Sequence, residues 1–279
     1  MSQSPLLSII TIVLNNVKYI EKTIQNYLEQ QCTESELVII DGGSTDGTVE
    51  IIEKYETSAH NIRWISEKDR GQSDAMNKGL NLTQGEFVSF LNSDDYYTDN
   101  ALNSVVEILR SNPKIDFLVG NCNVWDQDNQ LVYVNKPLNP TTQNLLIGRY
   151  IPVNPAAYFY RKSLHKLTGG YVISNHYNMD IEFLLQASRV TKLNYVPIIF
   201  GNFRLLPEAK TGSDSITGLL EKRKKELFDT YLKQFGLTVQ LSVFILKLRI
   251  KISARYKGIT SKICDKLNYE FGKLTQKNK

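Results

Sequence analysis

The sequence of 279 residues is poor in the residues that staple small folds or hold structural metals. It has three cysteines, Cys32, Cys122 and Cys264, and three histidines, His60, His165 and His176. An odd, scattered set of cysteines argues against a disulfide framework and fits a reducing cytoplasm. Neither residue type shows metal-ligand spacing, so a zinc site is not expected. The opening MSQSPLLSIITIVLNN lacks a basic segment before its apolar run. That run is short and β-branched, and it reads as a strand, not as a secretion signal. Internal repeats and low-complexity segments are absent. The one glycine-rich stretch, DGGSTDGT, has neither the GxGxxG nor the GxxxxGK(S/T) spacing, which excludes the dinucleotide and P-loop readings for it.

Charge is unevenly spread. Residues 219–279 carry 15 Lys and Arg against 5 Asp and Glu, a balance of +10, whereas the preceding 218 residues balance at −6. An acidic body therefore precedes a basic tail, a pattern that meets nucleic acid, anionic lipid or water.

The hydrophobic pattern alternates between strand and helix. Strands are expected over 6–15, from 36 into the glycine-rich turn, over 61–69 and over 86–95. Helices are expected over 17–30, 48–56 (capped by Thr45 or Thr48) and 73–83 (capped by Ser73). This rhythm means βαβ units, an α/β fold with a mostly parallel sheet and helices on both faces. In such sheets ligands bind beyond the carboxyl ends of the strands. Those ends are Asn15-Asn16, Asp41-Gly42-Gly43, Glu67-Lys68-Asp69 and Asn92-Ser93-Asp94-Asp95, all polar and mostly acidic. Further on, a hairpin is expected around Gln127-Asp128-Asn129, then a short strand, a short helix and a Gly-Gly turn over 154–171. A helix over 178–190 and a further strand or two from Asn194 follow. The tail starts near Thr217 with a charged helix. After Gly236, Leu237, Leu241, Phe244, Ile245, Leu248 and Ile252 fall on one side of a helix. The alternation over 246–252 also suits a strand; helix is favoured by context. This segment is too short and too charged to span a bilayer.

Three motifs carry candidate chemistry. In FLNSDD, two adjacent carboxylates end an apolar strand, and like charges held together call for compensation. A divalent cation would supply it, since Mg²⁺ and Mn²⁺ accept carboxylates, water and phosphates; an Asp-rich turn or cap is the plain alternative. In DGGSTDGT, Asp41 can accept a hydrogen bond from a base or ribose, although an ordinary βα turn explains it equally. In EKDRGQSDAMNKG, Lys68 and Arg70 suit phosphate, and Asp69, Asp74 and Asn77 suit a ligand's hydroxyls, although a solvated loop has the same composition.

In this order and spacing behind SIITIVLNN, the three motifs resemble family 2 of the glycosyltransferases, strongly over residues 6–110 and more loosely to about 205. The resemblance implies a GT-A (Rossmann-like) fold with a C-terminal helical appendage. It divides the chain into a catalytic domain over 1–215, donor-binding in 1–110 and acceptor-binding in 111–215, and a basic amphipathic tail over 216–279. It implies that Thr11, Asn15, Asp41, Lys68, Asp69, Asn77, Asp94 and Arg204 bind a nucleotide-diphospho-sugar, with Lys210 a further cation near the diphosphate. It implies Mg²⁺ or Mn²⁺ on Asp94, with Asp95 alongside. Asn92 departs from the usual Asp-x-Asp-Asp, and Leu14 stands where the family often has an aromatic. The family's catalytic base falls on Asp180 in NMDIEFLLQ, with Met179 in place of a glutamate; a plain helix-start aspartate is the alternative, and His176 is a second candidate base. Tyr96 and Tyr97 belong to the sugar pocket or the core.

The reading is an inverting transfer of a sugar to a glycan or lipid-linked acceptor in cell-surface polysaccharide synthesis. The expected location is cytoplasmic, with the tail docked on the anionic inner face of the plasma membrane; a stripe packed on the body or against a second copy is the alternative. Nucleic acid is not an expected partner. A sugar-nucleotide nucleotidyltransferase and a non-catalytic sugar- or nucleotide-binding module are the alternatives.

Overall fold

The structure is a computed structural model, and it describes residues 4–57, 59, 61–174, 177–207 and 217–253. His60, His176, Lys210 and Cys264 lie outside the described residues. Two compact units are present, Met1–Phe228 and Asp229–Lys279.

The first unit opens with β1 (Leu7–Val13), α1 (Ile20–Glu29), β2 (Ser35–Asp41), α2 (Thr48–Glu56), β3 (Ile62–Ser66), α3 (Gln72–Leu82) and β4 (Phe87–Phe90). All seven residues of β2 are buried, as a strand covered on both faces requires. Leu37 and Ile39 join the large core that includes α1 residues Ile20, Ile24 and Tyr27. Val38 and Ile40 point the other way, against Ala75 of α3. The pleat thus distributes one apolar run between two layers of helix.

These strands form a parallel block in the order β3-β2-β1-β4. The rest of the sheet joins it differently. It comprises β5 (Tyr96–Tyr97), α4 (Ala101–Ser111), β6 (Phe117–Trp125), β7 (Leu131–Asn135), α5 (Thr142–Leu146), β8 (Tyr158–Arg161), α6 (Leu164–Thr168), α7 (Met179–Val190) and β9 (Asn194–Arg204). β8 runs antiparallel to β4 and to β6. β9 is one long strand, parallel to β6 and antiparallel to β5. β6 and β7 form the expected hairpin. The fold is thus the expected α/β sheet with flanking helices, with a parallel block of four strands and one further parallel pair, β6 with β9, in an otherwise antiparallel remainder.

Local details differ where side chains reach the backbone. α2 starts after Gly47, at φ 100°. Asp46, not Thr45 or Thr48, takes the first N–H, with Oδ1 accepting from Thr48 N at 3.1 Å. α3 starts after Gly71 rather than Ser73, and Asp74 Oδ2 accepts from Arg70 N at 3.0 Å. The strand expected over 86–95 is regular only to Phe90. The 92–95 segment turns away because Asp95 N donates back to Asn92 O at 3.1 Å.

α8 (Leu219–Gln234) carries the first unit into the second. In the second unit a helix occupies 237–253, so the helical periodicity of that segment prevails over its short alternation. Among the described residues no helix is long and apolar enough to cross a membrane.

Gly79 lets α3 lie directly on β1: a Cβ there would come 2.5 Å from Ile10 Cγ2, a buried, β-branched side chain. Gly79→Ala is expected to destabilise by about 1–3 kcal/mol through overpacking, despite alanine's better helix propensity. Urea unfolding measures this, and an unchanged midpoint would contradict it.

Candidate active site

The four parallel strands end on one rim, and the loops beyond them are tied to each other. Asn15 is exposed at φ 50°. Its backbone N–H donates to Ser44 Oγ at 2.7 Å and its Oδ1 accepts from Thr45 N at 2.9 Å. Asn16 Nδ2 donates to Ser93 Oγ at 2.7 Å, joining the β1 loop to the acidic turn after β4. Asp41 is fully buried. Its carboxylate accepts from Gly43 N and Ser44 N at 2.9 Å each, from Ser66 Oγ at 2.6 Å, and from Ser44 Oγ. Four donors fill the lone pairs of a carboxylate. Asp41 therefore shapes the glycine-rich loop and offers no free face to a base. Gly42 sits under Asp69, whose Oδ2 would lie 2.6 Å from a Cβ at that position.

The acidic turn separates its two carboxylates. Asp95 is 1% exposed. Asn92 Nδ2 and Asn154 Nδ2 both donate to its Oδ2 at 2.7 Å, and Arg204 N donates to its Oδ1 at 2.9 Å. Burial, and then the neighbouring Asp94 charge, push its pKa up, while these three donors oppose the shift. Asp94 is only partly buried. It lines a small cavity of about 160 Å³ with Tyr19, Lys22, Tyr96 and Arg204. The Arg204 guanidinium lies over the Tyr96 ring at 5.1 Å and the Tyr19 ring at 5.7 Å, and its buried Nε has no hydrogen-bond partner.

Asp180 lies in the first turn of α7, behind Asn178 at φ 56°. It lines a larger cleft of about 410 Å³, together with Gln72, Asn92, Asn154, Tyr177 and Lys224. Burial raises its pKa; the backbone N–H groups of Ile181 and Asp180 and the Lys224 charge pull the other way. A carboxylate that is more basic than usual, yet held at a helix N-terminus, suits a proton acceptor.

The structure therefore sorts the residues expected at the site. Asn15, Lys68, Asp69, Asp94, Arg204 and Asp180 keep some exposure. Thr11 is 1% exposed, too deep in β1 to touch a ligand at the rim. Asn77 is likewise withdrawn: Nδ2 donates to Tyr171 O at 2.8 Å and Oδ1 accepts from Tyr171 N at 3.1 Å, clasping α3 to the loop after α6. Asp95 lines the same small cavity as Asp94 but is 1% exposed and already accepts three hydrogen bonds, which leaves Asp94 as the accessible carboxylate of the pair. Tyr97 belongs to the core at 1% exposure, whereas Tyr96 faces the small cavity. Asp94 and Asp180 line two cavities walled by the same 92–95 turn and the end of β9. Asn154, Lys22 and Lys224 had not stood out in the sequence. Each reaches its place through the tertiary fold; only the Asn154-Pro155 turn signal hinted at one of them.

Among the described residues no group of three or more His, Cys, Asp or Glu side chains is arranged to hold a metal by itself. One accessible carboxylate suits an ion that takes its remaining ligands from phosphate and water, as Mg²⁺ does. Asp94 fits that requirement.

Residues 8–168 match the model of glycosyl transferase family 2. The chain belongs to this family. A relative, the teichuronic acid biosynthesis glycosyltransferase TuaG of Bacillus subtilis, described as putative, is 38% identical over 106 residues. The match covers 38% of this chain and 42% of TuaG, so it spans less than half of that relative's length. The crystal structure of S. aureus TarS 1–349 in complex with UDP-GlcNAc superposes with a TM-score of 0.62 at 22% identity, over 74% of this chain and 60% of that one. The mannosyltransferase PcManGT from Pyrobaculum calidifontis, in complex with GDP-Man and Mn²⁺, gives 0.55 at 15% identity, over 93% and 84%. At these identities the two structures establish the shared GT-A-like fold of this family 2 glycosyltransferase.

Asn154→Ala removes one donor from the buried Asp95 and the acceptor of Ala156 N. It is expected to cost on the order of 1–3 kcal/mol, the range for a buried polar group left short of partners. Chemical denaturation at neutral pH checks this; wild-type stability would show that Asp95 does not depend on this contact.

Proposed function

We propose that this glycosyltransferase is an inverting enzyme that moves a sugar from a nucleotide-diphospho-sugar to a hydroxyl of a glycan or lipid-linked acceptor, in cell-surface polysaccharide synthesis. The observation that carries the reading is Asp180, a carboxylate at a helix N-terminus in the wall of the larger cleft, with its pKa raised by burial. In a single displacement the acceptor oxygen bonds to the anomeric carbon as the bond to the diphosphate oxygen breaks. Asp180 takes the hydroxyl proton in that step. The donor lies along the rim beside Asn15, Lys68 and Asp69, with residues 1–110 as its side and 111–215 as the acceptor side. Arg204 and Lys22 face its diphosphate from the small cavity. Mg²⁺ or Mn²⁺ would be held by Asp94 and would neutralise the leaving diphosphate. Asp41 and Asp95 act indirectly, by holding the loops. The name of TuaG, with its teichuronic acid, and the UDP-GlcNAc bound by TarS support the polysaccharide and sugar-nucleotide parts of the reading.

Nucleotide release from a panel of UDP-, GDP- and dTDP-sugars with Mn²⁺ tests it. Asp180→Asn and Asp94→Ala are each expected to lower release by about 100-fold or more, the scale of a lost general base or charge stabiliser. Full activity in either variant, or no release from any donor, would overturn the roles assigned.

The 237–253 helix supports a peripheral membrane location. Leu237, Leu241, Phe244, Ile245, Leu248 and Ile252 are 41–83% exposed, follow helical spacing, and are interspersed with Lys247, Arg249 and Lys251. An apolar stripe with flanking cations suits the headgroup region of an anionic bilayer. Phe244→Asp with Leu248→Asp is expected to weaken co-sedimentation with phosphatidylglycerol vesicles by about tenfold or more. Equal sedimentation would remove the membrane from the account.

A further inference from the structure

We propose that the acceptor bears an anionic group, a carboxylate or a phosphate, and that Lys224 receives it. The inference rests on the larger cleft being the acceptor site. Leu220 and Lys224, one helical turn apart on α8, both line that cleft. Lys224 and Asp180 are its only Lys, Arg, Asp or Glu side chains among the described residues. Lys224 is withdrawn, with 26% of its side chain exposed, and its ion-pair partner Glu221, at 3.1 Å, is 80% exposed. So exposed a partner compensates little of the cost of drawing an ammonium out of water. A second anion, arriving from the cleft, would compensate it better.

The surroundings point the same way. Tyr133, Tyr150 and Tyr177 line the cleft, and flat, partly exposed rings with polar tips suit a sugar face. The Arg223 guanidinium lies 3.5 Å from the Tyr177 ring centroid and that of Arg149 lies 5.3 Å from the Tyr150 ring centroid, so positive charge gathers at this end. Lys224 and Asp180 line the same cleft, and the Lys224 charge is felt at Asp180, so an anion held by Lys224 would share the cleft with the reacting hydroxyl. The donor diphosphate has its own cations, Lys22 and Arg204, in the cavity with Asp94.

The test is calorimetric binding to the full chain of two matched pairs: p-nitrophenyl β-glucuronide with p-nitrophenyl β-glucoside, and glucose 6-phosphate with glucose. UDP and GDP are titrated as donor-side controls. The wild type is expected to bind the charged member of at least one pair about tenfold more tightly, the scale of one charge-assisted hydrogen bond. Lys224→Gln should abolish that preference, Lys224→Arg should keep it, and nucleotide affinity should not change in either. Which pair discriminates separates carboxylate from phosphate. Equal binding within both pairs, including no binding to any of the four, overturns the proposal. So does a Lys224→Gln variant that loses nucleotide instead, which would move Lys224 to the donor site. Failure of the enzyme reading would appear separately, as no nucleotide release from the donor panel.

Discussion

A single buried carboxylate, Asp95, joins the two halves of the sheet at the edge where the cavities lie. Two of its three donors come from distant parts of the chain, Asn154 before β8 and the backbone of Arg204 at the end of β9; the third, Asn92, lies three residues before it in the turn after β4. β4 closes the parallel block, and β8 and β9 belong to the part of the sheet that joins it. A polar group this deep is costly unless hydrogen-bonded, so the three segments are held in one relative placement. That placement turns Asp94 outward into the small cavity and sets the far wall of the larger cleft.

The aspartates of the rim show how burial divides labour among chemically identical side chains. Asp41 is buried and saturated by the loop it organises. Asp95 is buried and accepts from its own turn and from two other segments of the sheet. Asp94 keeps exposure beside two cations, and Asp180 lines the cleft at a helix N-terminus under the influence of one lysine. The two withdrawn groups fix geometry. The two groups that keep exposure line adjoining cavities, the arrangement on which the proposed division between leaving group and attacking hydroxyl rests.

The beginning of α8 belongs with the first unit. Leu220 and Lys224 line the larger cleft, so the charged helix read in the sequence as the start of an appendage contributes wall and charge to it. The later helix, over 237–253, has a different character, with an exposed apolar stripe among cations.

Much of the fold was legible because its signals are local. β-branched runs, helical spacing and polar strand ends gave the order β1 to β4 with the intervening helices, and the motif order FLNSDD behind DGGSTDGT and EKDRGQSDAMNKG gave the family. Residue types at strand ends also named the candidate carboxylates. Sequence could not show which of them face solvent, because Asp94 and Asp95 are neighbours with the same side chain, and only the arrival of Asn154 and Arg204 from elsewhere decides that one is buried. The same holds for Thr11 and Asn77, withdrawn by sheet packing and by a clasp to Tyr171, and for Lys224, brought to Asp180 across more than forty residues of chain. Local pattern determined which elements form and in what order. Tertiary structure alone decided which polar groups are saturated by one another and which remain for a ligand, since hydrogen-bond partners and desolvation depend on segments that meet only when the chain folds.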